Sequence, residues 1–182
     1  MENYMKLEIA AISKNEGFAR SAVAAFALEL NPSLAELADI KTAVSEAVTN
    51  SVVHAYKNKD DKRKILIESE IEKAETGGVL HIRVTDFGVG IEDVEKAVAP
   101  FFTTMEDDER SGMGFTIMQT FMDGFSLESE RGKGTTVRMF KRIDGKTAPQ
   151  RIPDEQPADG QTINEPTAFL TQDEERREKI NA

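Results

Sequence analysis

Glu46 and Asn50 stand four residues apart in Glu46-Ala47-Val48-Thr49-Asn50, the spacing that places two side chains one turn apart on one side of a helix. A carboxylate beside a neutral amide oxygen can serve as a base next to a hard cation such as magnesium, which prefers oxygen ligands. The same spacing also occurs on solvated helix faces that carry no chemistry. Asp86-Phe87-Gly88-Val89-Gly90 follows an alternating apolar run. An ionised Asp only accepts hydrogen bonds, so at a strand end it can receive an exocyclic amine of a base, and the glycines let backbone approach a ligand closely. An ordinary turn after a strand has the same appearance. Arg110-Ser111-Gly112-Met113-Gly114-Phe115 opens a third run. Exposed N–H groups at a helix start favour anions, and glycines let phosphates lie against the main chain. Arg110 adds a fork of donors suited to a terminal phosphate.

The elements that must position these runs are legible from periodicity and caps. Lys6–Ile12 alternates as a half-buried strand. Ser13 and Glu16 match a capping box, the alanine-rich run Phe18–Leu30 propagates the helix, and Asn31-Pro32 stops it. Ser33 and Glu36 repeat the box and open a longer helix to about Tyr56. Leu37, Ile40, Val44, Ala47, Val48, Ser51, Val52 and Ala55 make its apolar stripe, with Glu46 and Asn50 off it. Ile65, Ile67, Ser69 and Ile71, a Gly77-Gly78 turn, then Leu80, Ile82 and Val84 predict a hairpin. A short helical piece over Glu92–Val98, a long polar loop over Ala99–Ser111 and a helix after Gly112-Met113-Gly114 follow. Strands at about Gly124–Ser129 and Thr135–Lys141 close the pattern, joined by Arg131-Gly132-Lys133-Gly134.

Composition narrows the classes. The 182 residues carry a net charge of −10, no cysteine and two histidines, His54 and His81. Disulfides, thiolate metal sites, a Cys nucleophile and a three-histidine zinc site are excluded. A pI near 4.8 argues against binding nucleic acid by broad phosphate neutralisation. No apolar run approaches the roughly 20 residues of a membrane span, and no signal-peptide profile opens the chain, so a cytoplasmic protein is expected. Residues 147–182 hold four of the six prolines and eight acidic against four basic residues, the composition of a disordered tail. The expected division is therefore a domain over 1–146 and an acidic appendage over 147–182.

In this order the three runs resemble the GHKL ATPase superfamily over about residues 5–142. Within it they are most similar to the anti-sigma serine kinases of spore-forming bacteria. The likeness rests on Ile40-Lys41-Thr42-Ala43-Val44-Ser45-Glu46-Ala47-Val48-Thr49-Asn50, Pro100-Phe101-Phe102-Thr103-Thr104 and Glu109-Arg110-Ser111-Gly112-Met113-Gly114-Phe115-Thr116-Ile117-Met118. The resemblance implies that Asn50 holds Mg2+ bridged to the phosphates of ATP and that Glu46 orients or deprotonates the attacking hydroxyl. It implies that Asp86 accepts the adenine amine, that Gly88 and Gly90 shape the base pocket, and that Thr135 lies near adenine. Thr103 and Thr104 then belong to a mobile lid, Arg110 contacts the γ-phosphate, and Ser111, Gly112 and Gly114 supply backbone contacts to phosphate. Arg20 matches a position used for partner contact.

The expected fold is α+β, a two-layer sandwich of the Bergerat type with a mixed, largely antiparallel sheet covered by helices on one face. The expected activity is that of an anti-sigma factor that inhibits a sporulation sigma factor and phosphorylates its anti-anti-sigma antagonist on serine, as a homodimer. A nucleotide-dependent sequestering module without phosphate transfer, and a histidine-kinase catalytic domain, are the competing classes. His54 lies two turns beyond Glu46 and can approach the same face; His81 points away from the Leu80, Ile82 and Val84 face.

Overall fold

The computed structural model describes residues 3–56, 63–99 and 112–145. Residues 57–62, 100–111 and 146–182 lie outside the described residues, and with them most of the predicted polar loop over Ala99–Ser111 and the expected 146/147 boundary. β1 (Asn3–Ala10) turns Met5, Leu7 and Ile9 to one face and Tyr4, Lys6 and Glu8 to the other. It begins three residues before the predicted start and stops short of Ile12.

α1 (Lys14–Ala27) follows, without the capping box expected at Ser13 and Glu16. Ser13 already has helical dihedrals, φ −57° and ψ −30°, and its side chain caps nothing. A capping serine needs extended backbone to bring its oxygen over the third N–H of the helix. Glu16 instead pairs with Arg20 at 2.8 Å, and Asn15 Nδ2 donates to the Ala10 carbonyl at 2.9 Å, which ties the helix start to β1. A 3₁₀ turn, Leu28–Leu30, extends α1 until Asn31 enters the left-handed region at φ 52°.

The second capping box does form. Ser33 has ψ 162°, its oxygen accepts the Glu36 N–H at 3.2 Å, and Glu36 Oε2 accepts the Ser33 N–H at 2.6 Å. It starts α2 (Leu34–His54), which buries Ile40, Ala43, Val44, Ala47, Val48 and Ser51. β2 (Lys64–Lys73) and β3 (Gly78–Asp86) form the expected hairpin, turning through Gly77. α3 (Val94–Ala97) is a single turn; α4 (Gly114–Phe121) leads to β4 (Gly124–Glu130) and β5 (Gly134–Ile143).

The strand order is β1-β2-β3-β5-β4. All four pairings are antiparallel, so the sheet is antiparallel throughout the described residues. α1, α2 and α4 bury their apolar stripes in one core with Ile65, Ile67, Ile71, Leu80, Ile82 and Val84. Each such side chain fully withdrawn from water contributes about 1.5–3 kcal/mol. Lys141 locks the layers from the sheet side: its Nζ donates to Asp39 Oδ2 of α2 at 2.9 Å and to the Phe121 carbonyl ending α4 at 2.7 Å. α4 is thus fixed at its C-terminus while its N-terminus faces α2.

One core position breaks the apolar rule. Ser69 is 1% exposed, in the register of Ile67 and Ile71, and its Oγ has no hydrogen-bond partner among the described residues. A buried unpaired hydroxyl costs about 1–3 kcal/mol. Ser69→Ala is therefore expected to hold or raise the denaturant midpoint, whereas Ile67→Ala on the same strand face is expected to lose about 2–5 kcal/mol. Urea unfolding of the two variants checks the contrast, and a destabilised Ser69→Ala would show that the hydroxyl is satisfied in solution.

Candidate functional site

α2 carries Glu46 and Asn50 on the side turned towards α4, and its C-terminus ends against the loop that follows β3. A Cβ added to Gly114, the first residue of α4, would lie 3.1 Å from Glu46 Oε2, 3.1 Å from Asn50 Nδ2 and 3.2 Å from Asn50 Oδ1. The glycine is what lets the N-terminus of α4 press on this polar pair. Both side chains are half-buried and line a cleft of about 1040 Å³.

The other end of the cleft is built on Asp86, the last residue of β3 and 4% exposed. Its Oδ1 accepts two backbone N–H groups, from Gly88 at 3.0 Å and Thr135 at 3.2 Å. Its Oδ2 has a long contact, 3.4 Å, from a Ser51 hydroxyl that also donates to the Ala47 carbonyl at 3.2 Å. One hydroxyl proton cannot fully serve both, so Oδ2 retains acceptor capacity towards the cleft. Burial raises the Asp86 pKa above the ordinary carboxylate value, and the Gly88, Thr135 and Ser51 hydrogen bonds oppose the rise.

The loop after Asp86 is held on three sides. Val89 N–H donates to the Ala55 carbonyl at the end of α2 at 2.7 Å, and Gly132 N–H donates to the Val89 carbonyl at 2.7 Å. A Cβ at Gly88 would fall 1.9 Å from the Ala55 oxygen, and one at Gly90 2.1 Å from the Glu130 oxygen. Tyr56 adds the third tie: its hydroxyl accepts the Phe87 N–H at 3.0 Å and donates to the Lys64 carbonyl.

The structure therefore gathers Glu46, Asn50, Asp86, Gly90, Gly112, Gly114 and Thr135 around one cleft, with Gly88 in the adjoining loop; His54 also lines it. Thr103, Thr104, Arg110 and Ser111 lie outside the described residues. Arg20 is elsewhere, on α1, donating to Glu16 and to Ser45 Oγ at 3.4 Å. His81 faces the opposite side of the sheet, beside Phe140. Sequence reasoning missed Ser51, whose place in the apolar stripe concealed its hydroxyl, and Ser129, Tyr56 and Ala55, whose roles arise from contacts between distant segments. Chemically, one end of the cleft offers a carboxylate, an amide and a helix N-terminus, and the other a buried acceptor. Among the described residues no group of three or more His, Asp or Glu could cage a metal. The side-chain oxygen of Asn50 fits one position of a magnesium ion that takes its remaining ligands from water and phosphate.

The described residues form four α-helices and a five-stranded sheet around this cleft, and residues 11–141 match the histidine kinase-like ATPase domain family. The chain is 53% identical over 143 residues to the anti-sigma F factor of Clostridium botulinum, covering 79% of this chain and 96% of that protein. It is 55% identical over 141 residues to the anti-sigma F factor of a Thermoanaerobacter species, covering 78% and 94%. Among solved structures, the RsbU and RsbW domains of a Mycobacterium tuberculosis protein match at a TM-score of 0.53 and 19% identity, over 78% of this chain and 32% of that one, a likeness of fold. The chain belongs to the anti-sigma F factor family of histidine kinase-like ATPase domains. No helix among the described residues is long and apolar enough to cross a membrane.

The clamped loop gives a steric test. Gly88 lacks room for a methyl group, whereas Gly132, with φ +80°, has nothing within 4 Å of its missing Cβ. Gly88→Ala is expected to lower stability by more than about 2 kcal/mol through forced displacement of α2 from the loop. Gly132→Ala is expected to cost only about 1 kcal/mol, from backbone strain. Thermal unfolding of both variants checks the order.

Proposed function

We propose that this chain holds a sporulation sigma factor of the F type inactive and phosphorylates its anti-anti-sigma antagonist on serine, using Mg-ATP. The observation that carries the reading is the packing of Gly114 against Glu46 and Asn50. It brings a carboxylate, an amide oxygen and a helix N-terminus into one cleft whose far end is Asp86. Family membership, with about half of the aligned positions identical to anti-sigma F factors, supports the choice of partners.

In this reading Asp86 Oδ2 accepts the adenine amine, Gly88 and Gly90 shape the base pocket, and Thr135 lies beside the base. Gly112, Gly114 and Ser111 present main-chain N–H groups to the phosphates, where the N-terminal end of α4 favours negative charge. Magnesium, when bound, offsets charge on the phosphates, and Asn50 contributes an oxygen to it. Arg110 reaches the γ-phosphate, and Thr103 and Thr104 belong to the lid. Glu46 takes the proton of the antagonist's serine hydroxyl as its oxygen attacks the γ-phosphorus; the bond to the bridging oxygen breaks and ADP leaves. The work is positioning and charge stabilisation, which is what phosphoryl transfer requires. Arg20 lies outside the cleft, with its side chain 43% exposed, and is assigned to partner contact. The active form is assigned as a homodimer working in the cytoplasm.

Two experiments test this. Intact mass of the antagonist after incubation with the chain and Mg-ATP is expected to rise by one phosphate. Glu46→Ala is expected to slow that gain by roughly 10²-fold or more while leaving ADP affinity unchanged. No mass gain despite nucleotide binding would turn the assignment to a sequestering module.

The second concerns pH. Both lone pairs of Asp86 Oδ1 are engaged by N–H groups, so a proton bound by this carboxyl goes to Oδ2 and turns that acceptor into a donor. Because the folded pKa is raised, ionised Asp86 destabilises the free protein above that pKa, and protonation relieves the penalty as pH falls. Binding has the opposite preference: ADP affinity is expected to fall as pH drops through the raised pKa. Asp86→Asn, which places an amide donor against the amine, is expected to bind about 10- to 100-fold more weakly. Its affinity should show no Asp86-dependent fall with pH, and calorimetric titrations across pH read both effects.

A further inference from the structure

Asp86, Thr135 and Ser129 lie on one rung of the sheet: Asp86 of β3 is paired with Thr135 of β5, and Thr135 with Ser129 of β4. Ser129 Oγ makes three polar contacts. It accepts the Ile91 N–H at 2.8 Å, donates to the Gly134 carbonyl at 2.9 Å, and lies 2.9 Å from Thr135 Oγ1. A hydroxyl has one proton and two lone pairs. The Gly134 carbonyl can only accept, so the Ser129 proton is committed there, and the Ile91 N–H takes one lone pair. The contact with Thr135 is then satisfied in one sense only, with the Thr135 hydroxyl donating to Ser129. The Thr135 proton is turned away from the cleft, and its lone pairs are what the cleft receives.

We propose that Ser129 is a positioning residue that fixes Thr135 as an acceptor and so sets the preference for a 6-amino over a 6-keto purine. This rests on the reading that the cleft binds a purine nucleotide with its base at Asp86. Asp86 Oδ2 and Thr135 Oγ1 then form a pair of acceptors. An exocyclic amine carries two N–H groups and can satisfy both, directly or through water. A keto oxygen in its place meets lone pairs on both sides. Without the Ser129 hydroxyl, Thr135 is free to rotate its proton into the cleft and donate to a keto group, so half of the discrimination is lost while Asp86 retains its own. Ser129 also holds the Ile91 N–H, so its removal loosens the loop after Gly90, an effect that weakens all nucleotides alike.

The two effects separate in a comparison of ADP with inosine diphosphate, which differ at the 6-position and the adjacent ring nitrogen. Ser129→Ala is expected to shrink the ADP-over-IDP affinity ratio about fivefold, whatever happens to the affinities themselves. Ser129→Thr, which keeps the hydroxyl, is expected to restore the ratio. Thr135→Val removes the acceptor without changing side-chain size and is expected to shrink the ratio too, and in that background Ser129→Ala should shrink it no further. Equal loss of both affinities in Ser129→Ala at an unchanged ratio, or full additivity of the two substitutions, would falsify the linkage. Should Ser129→Ala not fold, an unchanged ratio in Thr135→Val alone overturns it. A wild-type protein that binds neither diphosphate overturns the nucleotide reading itself, and this inference with it.

Discussion

The structure depends on one close approach: the end of α2 meets the loop after β3 with no side chain between them. The Ala55 carbonyl accepts the Val89 N–H at 2.7 Å across a gap that a methyl group at residue 88 would fill. That contact satisfies a carbonyl that the end of the helix leaves open, and it sets how far α2 extends along β3. Every polar group of the cleft is referenced to it. Glu46 and Asn50 stand at fixed rises back along α2, Ser51 faces Asp86, and the loop itself closes the far wall. The capping box at Ser33 and Glu36 fixes the other end of the same helix. A 21-residue helix pinned at both ends is a rigid ruler, and rigid elements are what a constellation of side chains requires.

Burying Asp86 works against the fold. A carboxylate at 4% exposure loses most of its hydration, and two backbone N–H groups with one shared hydroxyl restore only part of it. A position that served stability alone would be better filled by an apolar residue like its neighbours Val84 and Ile65. The deficit is concentrated on Oδ2, where a ligand N–H can make it good. The penalty in the free protein therefore becomes binding energy once the acceptor is used, and a ligand without a donor there leaves it in place.

Much of this was legible in the sequence because it is local. Alternation in Ile65, Ile67 and Ile71 and in Leu80, Ile82 and Val84 gave the hairpin, and Asn31-Pro32 gave the end of the first helix. Two identical-looking capping boxes had different outcomes, since Ser33 is extended and Ser13 is already helical. The tie from Asn15 to Ala10 accompanies that early helical turn, and its acceptor is a backbone carbonyl, which side-chain patterning does not display. The insertion of β5 between β3 and β4 is a long-range outcome. The candidate site was legible where glycine spacing and helix periodicity carried it, as at Glu46, Asn50 and Asp86. Ser51 and Ser129 were not, because a serine in an apolar stripe or an alternating strand reads as filler until the partner of its hydroxyl is seen.

The charges of the cleft bear on how it can hold a polyphosphate. Among the described lining residues, Glu46, Asp86, Glu92 and Asp93 are acidic, and Lys96 and Arg131 are basic. Such a wall does not attract an anion by its side chains. Attraction has to come from main-chain N–H groups at the start of α4, from a cation that arrives with the phosphates, and, on the proposed reading, from Arg110. Each acts over a short range and in one place, and the acidic remainder repels phosphate elsewhere in the cleft. The opposite face of the sheet is organised differently. Lys6 and Arg83 flank Glu68, and Arg138 pairs with Glu128, so cross-strand charges neutralise one another in rows that contribute little to stability. The overall charge of −10 thus coexists with a locally balanced outer face and an acidic cleft. On the proposed reading, such a wall favours a metal-bound polyphosphate over a free one.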